Sequence, residues 1–122
     1  THNVDKNDAL TVGGNRSVSV TKNETLEVGG ERRQSIAKKD TLEIGDARST
    51  TVSKDDELKV GKKLSIEAAD QILLKSGSAS ILLKKDGTIT IKGNNITIKG
   101  SGNIKVEASS NVTLKGSQVK QN

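Results

Sequence analysis

The sequence predicts an all-β chain: an intertwined triple-stranded β-helix, or β-prism, of three identical chains built from octad repeats. Three observations predict it. Pairs of aliphatic residues, each split by one residue, recur every eight positions; Phe, Tyr, Trp, Met, Cys and Pro are absent from all 122 residues; and charge alternates in sign at every eighth residue of the N-terminal half.

The first segment, residues 1–63, carries a sixteen-residue repeat that is two octads. Leu10, Leu26, Leu42 and Leu58 are spaced by sixteen, as are Val12, Val28, Ile44 and Val60, each followed by Gly13, Gly29, Gly45 or Gly61. Halfway between stands Val4, Val20, Ile36 or Val52, with Lys6, Lys22, Lys38 or Lys54 two residues on. In the second segment, 64–122, the unit is a plain octad: Leu64/Ile66, Ile72/Leu74, Ile81/Leu83, Ile89/Ile91, Ile96/Ile98, Ile104/Val106 and Val112/Leu114, with Val119 last. The two segments are expected to form one continuous domain. With no Met to start it, the chain is expected to be a piece of a longer protein.

Apolar, polar, apolar, then turn formers is the period-two pattern of a short strand with one face inward, and it excludes helix. Glycine and asparagine after the strands are expected to supply the positive φ that turns a corner. An apolar content of 30% beside 29% charged residues would suit disorder, but rhythmic Val, Ile and Thr argue for order through repetition. A strand with two inward residues is not stable as a lone hairpin, so the octads must stack on something with the same spacing.

Every eighth residue from Asp8 reads Asp8, Arg16, Glu24, Arg32, Asp40, Arg48, Asp56. A solenoid with sixteen residues per turn would lay acid on acid, which cross-strand pairing disfavours. Two arrangements make the ladder favourable: a single-chain solenoid with twenty-four residues per coil, or three chains in which residue i lies beside i+8 of a neighbour. The ladder does not choose between them. Core filling does, because a single-chain helix of this size would need larger side chains and a cap, whereas a three-chain prism needs only aliphatic ranks. Its axis-facing core would be Leu10, Val12, Val20, Leu26, Val28, Ile36, Leu42, Ile44, Val52, Leu58, Val60, Ile89, Ile91, Ile96, Ile98, Ile104, Val106, Val112 and Leu114. Strands on one face of one chain would lie about three strand spacings apart, without hydrogen bonds to each other, in a rod about 70 Å long.

The octads of IKGNNITIKG at 91 to 100, with LEVGGERRQS and its sixteen-residue relatives, resemble the needle of the type VI secretion spike family called valine-glycine repeat protein G, and the related baseplate spike of contractile-tailed phages. The resemblance covers essentially the whole chain and is one of pattern. It implies a homotrimeric cell-puncturing needle that delivers effector proteins through a target envelope, penetrating it transiently without stable membrane insertion. It also implies a tip protein of the proline-alanine-alanine-arginine type (PAAR) on the C-terminal end, here Val119, Lys120, Gln121 and Asn122. The apparatus would be bacterial, its needle cytoplasmic before firing and secreted or delivered into the target cell after it. The alternative is a trimeric phage tail-fibre or adhesin stalk that presents a binding tip.

Other functions find little support in the residues. Catalysis needs a nucleophile, a base and a pocket together, and one histidine, His2, with adjacent Asp55 and Asp56 does not suggest them. No enzyme activity, catalytic residue or metal site is expected. The net charge of +5 comes from twenty basic residues interleaved with fifteen acidic ones, and no aromatic ring is present for base stacking, so nucleic acid is not an expected partner.

Two irregularities stand out. Gln34 and Thr50 occupy the inward phase of Val18, and a ring of three on the axis would call for ordered water or an ion inside the tube; no cofactor is expected. Leu73 and Leu82 sit between inward pairs, and Ile72 to Ile81 is nine residues rather than eight. They face outward or the register slips, so a bulge or kink is expected between residues 66 and 83, with a lateral cargo-docking patch as a functional reading of the two leucines.

Overall fold

Backbone bends keep the count of eight through residues 5–70, and step by seven or eight beyond residue 93. The computed structural model describes residues 1–122 and divides them into two compact units, Thr1–Ser53 and Lys54–Asn122. In the first unit the chain bends at residues 5–6, 13–14, 21–22, 29–30, 37–38 and 45–46, each time immediately after an aliphatic residue of the repeat. In the second it bends at 61–62, 69–70, 94–95, 101–102, 109–110 and 116–117. The hydrophobic rhythm is thus also the rhythm of the backbone.

These corners do not use the conformation expected of them. Positive φ occurs only at Gly77 (53°) and Gly87 (88°), and at no other residue type. The corners at Thr21–Lys22 and Ala37–Lys38 contain no glycine at all. A gentle bend stays within the conformations open to any L-residue, so left-handed glycine is needed only where the chain reverses.

It reverses twice, in the second unit. Strands β1 (Gln71–Ser76), β2 (Ala79–Lys84) and β3 (Ile89–Lys92) form an antiparallel sheet in the order β1-β2-β3. Between β1 and β2 lie only Gly77 and Ser78. Positive φ at the first and not the second is the type II′ pattern, whose twist matches that of paired strands. Between β2 and β3, the Gly87 amide donates to the Lys84 carbonyl (3.1 Å) and the Lys84 amide to the Thr88 carbonyl (3.0 Å). This is a type I turn closed by a left-handed glycine. The Asp86 carboxylate accepts from the Thr88 amide at 2.9 Å and locks the loop.

The expected bulge between residues 66 and 83 is therefore a chain reversal. Here strands pair within one chain, contrary to the expectation that each strand's bonded neighbours belong to other chains. Ile72 opposes Leu83, Leu73 opposes Leu82 and Leu74 opposes Ile81, while β2 sets Ile81 against Ile91 and Leu83 against Ile89. Alternation puts Ile72, Leu74, Ile81, Leu83, Ile89 and Ile91 on one face. Leu73 and Leu82 meet on the other, among Lys75, Lys84, Lys92, Ser80 and Thr90. Just before β1 and just after β2 the ladder continues, the Lys85 amide donating to the Asp70 carbonyl (3.0 Å) beside a 3.4 Å pair between their side chains.

Outside the reversal the backbone makes no hydrogen bonds to itself. No backbone–backbone hydrogen bond forms within Thr1–Ser53, nor within the second unit outside residues 70–92. No residue is buried, and of the thirty Val, Leu and Ile only Ile72 and Leu82 are even half-buried. The accessible surface is 14017 Å² for 12.9 kDa. A folded monomer of that mass would expose about 6,300 Å² and its unfolded chain about 19,000 Å². A single copy leaves most of the surface that folding normally covers open to solvent.

Candidate trimer interface

The uncovered apolar side chains form ranks with repeating surroundings. Leu10, Leu26, Leu42 and Leu58 are 65–71% exposed, whereas Val12, Val28, Ile44 and Val60, one strand step later, are 43–45% exposed. Val20, Ile36 and Val52 are exposed too, as are Ile89, Ile91, Ile96, Ile98, Ile104, Val106, Val112 and Leu114. Full burial of one such side chain is worth about 1.5–3 kcal/mol, and outside residues 71–92 the chain has nothing of its own to set against them.

Ladder residues keep a fixed spacing to these ranks. Each stands two positions before an aliphatic or inward-phase residue: Asp8 before Leu10, Arg16 before Val18, Glu24 before Leu26, Arg32 before Gln34, Asp40 before Leu42, Arg48 before Thr50 and Asp56 before Leu58. The contacts around residue 32 have that spacing: Arg32 Nη2 donates to Gln34 Oε1 at 3.4 Å, and Arg33 pairs with Glu31 at 3.6 Å. No ladder residue meets another within the chain; Asp8 lies 3.8 Å from His2 Nε2. Gln34 and Thr50 are exposed in the single copy.

The remaining ion pairs, Lys59 with Glu57 (3.1 Å) and Lys105 with Glu107 (2.8 Å), also join residues two apart and are highly exposed. Pairs of this kind contribute at most about 1 kcal/mol. One carboxyl group is perturbed: hydrogen bonds from the Thr88 amide and hydroxyl hold Asp86 below its ordinary value of 3.8. No three His, Asp or Glu side chains of the chain converge. Val119, Lys120, Gln121 and Asn122 are exposed at the C-terminal end.

Sequence reasoning missed the meander and the Asp70–Lys85 clamp. A signal for the first was present, since Asp86-Gly87 between alternating aliphatics is a strong short-range hairpin mark.

An all-β repeat chain with no core, whose apolar ranks are spaced like its bends, is an assembly segment: it has the makings of a fold only in company with further strands. Residues 1–76 match the family of the bacteriophage T4 gp5 C-terminal trimerisation domain, and the chain belongs to that family. A stretch of 36 residues is 56% identical to the type VI secretion system spike protein VgrG1b of Pseudomonas aeruginosa strain PAO1. That stretch is 30% of this chain and 5% of the relative, so the similarity spans a small part of the longer protein. The chain is of the kind found in the C-terminal region of phage baseplate and VgrG-type spikes.

Proposed function

We propose that three copies of this chain wind into a β-prism that serves as the cell-puncturing needle of a type VI secretion spike. The observation that carries this reading is the combination of periodic, uncovered aliphatic ranks with backbone that has no partner in its own chain. In a threefold prism, the ranks of three chains meet at the axis and the unpaired N–H and C=O groups bond between chains. Membership of a trimerisation-domain family supports three as the number.

The role is mechanical rather than chemical. Interchain hydrogen bonds in the layers outside residues 71–92 make the shaft stiff, and mixed-charge outer faces keep it from adhering to what it crosses. Effector proteins and a PAAR-type tip protein are the proposed partners, the latter on the exposed end at Val119–Asn122. Before firing the needle is cytoplasmic; afterwards it is secreted or inside the target cell, having crossed the envelope without staying in it. Within the tube, Gln34 and Thr50 form threefold polar layers that hold ordered water or an ion.

Mass in solution tests the core of the proposal. Light scattering should return three times 12.9 kDa. A stable monomer would overturn it.

A further inference from the structure

Repeats that are nearly identical create a difficulty for any assembly of three copies: they fit together equally well when slipped. Sliding one chain by sixteen residues lays Leu10 and Val12 where Leu26 and Val28 stood, sets Gly13 on the place of Gly29, and keeps the sign of every ladder charge. Register is weakly specified wherever the pattern repeats itself. Something aperiodic has to set it.

The meander is aperiodic. Its nine-residue step from Ile72 to Ile81 occurs nowhere else among the inward pairs, and it alone is held by hydrogen bonds of its own chain. It also has a surface made for company. Ile72, Leu74, Ile81, Leu83, Ile89 and Ile91 share one face, all but Ile72 being exposed large aliphatics. Beside the sheet lies an open concavity of about 600 Å³ lined by Leu74, Ile81, Ile91 and Ile96 together with Lys75 and Lys92 from the other face. At its rim the aliphatic face runs on into the octad rank of Ile96 and Ile98, so it continues the candidate trimer interface.

We infer that residues 71–92 are a register clamp: the aliphatic face of the meander docks on the same face of two further copies of this chain and fixes the alignment of all three. This inference rests on the trimer proposed above. The occupant is a second copy because the face offers aliphatic side chains in mirror-like pairs, without a charge among them, to partners carrying the same set. Its area is adequate. The exposed part of the six side chains is on the order of 400 Å² per copy, or about 1,200 Å² over three, where specific assemblies begin. Because the clamp pairs its own strands first, each chain brings a preformed element to the encounter, and the repeats zip from a single alignment.

The chain has no cysteine, so disulfide trapping reads register directly. Two versions of the 122-residue chain, Val20→Cys and Ile36→Cys, are co-expressed with tags of different length and oxidised. Aligned chains place these positions two octad rises apart, about 10 Å, beyond the roughly 7 Å that a disulfide spans. Same-position disulfides should form, and the mixed species, which joins position 20 of one version to position 36 of the other, should be nearly absent. Adding Ile81→Ser with Ile91→Ser to both versions should raise the mixed species at least about tenfold or abolish trimers. Adding Leu73→Ser with Leu82→Ser, the same loss on the opposite face, should do neither.

Trimers of the Ile81/Ile91 variant that give only same-position disulfides would overturn the clamp and leave the trimer standing. Equal damage from both pairs of substitutions would also overturn it, since the face would then be irrelevant. A native chain that is monomeric would remove the trimer and the clamp together.

Discussion

Replacing Gly29 by alanine tests what the corners are for. The first corner position is glycine at 13, 29, 45 and 61, while the next is Gly14, Gly30, Asp46 and Lys62, so only the first consistently lacks a side chain. Nothing in the chain itself explains this. Gly29 does not have positive φ, and a Cβ built there meets no atom within 4 Å. For an isolated chain, Gly29→Ala should therefore stabilise by about 0.4–1 kcal/mol through a less flexible unfolded state. In the proposed prism the corner is where a neighbouring strand passes, and a methyl group inserted into packed surroundings costs about 1–3 kcal/mol. The net expectation is a loss of about 1–2 kcal/mol per chain, felt three times per trimer. Gly77→Ala calibrates the measurement: its φ of 53° imposes a cost of about 1–2 kcal/mol with no contact involved. Thermal unfolding followed by far-UV circular dichroism at matched chain concentration, with light scattering on the same samples, reads both. A higher midpoint for a still-trimeric Gly29→Ala would refute the claim that neighbouring chains require the corner glycine.

Three further outcomes are expected. Arg32→Glu should lower trimer stability by up to about 1 kcal/mol and Glu24→Arg should restore it in the double variant; additive effects would reject the i to i+8 pairing. Asp86, depressed by its bonds from Thr88, stabilises its loop above its unfolded value near 3.9 and loses that contribution as pH falls through the lower folded value. A carboxyl titration by NMR should thus put Asp86 below 3.8, and Asp86→Asn should remove the acid sensitivity of Thr88 amide protection; an unshifted Asp86 would contradict the turn geometry. Lys105→Ala should change stability by less than about 0.5 kcal/mol, since its pair with Glu107 is solvent-exposed.

The octad was legible because aliphatic spacing and backbone bending share one cause, a short strand that must present two side chains to one side before turning. Leu10, Val12 and Gly13 thus announced the corner at 13–14. Glycine's role was misjudged there, as a shallow corner does not demand left-handed backbone and Ala37–Lys38 bends as readily. The meander was half legible. Leu73, Leu82 and the nine-residue step marked the place, but period-two patterning is the same whether strands pair with themselves or with another chain, so only the turn chemistry of Gly77-Ser78 and Asp86-Gly87 distinguishes a reversal from a bulge. In the proposed trimer the partners of the ranks are other copies, so no covered state of the ranks is legible in one copy.

Through residues 1–63, bends that fall on every eighth residue make length a counted quantity. Inserting a second copy of the sixteen-residue block Leu10–Thr25 directly after the first keeps corner, rank and charge sign in step throughout residues 1–63. An insertion of eight keeps the corners yet reverses every charge that follows, and an insertion that is not a multiple of eight takes the aliphatic ranks out of step with the corners. In the proposed prism, gene duplication would therefore lengthen this segment in whole steps of about 10 Å, as a ruler is extended by its own unit, without redesigning any contact.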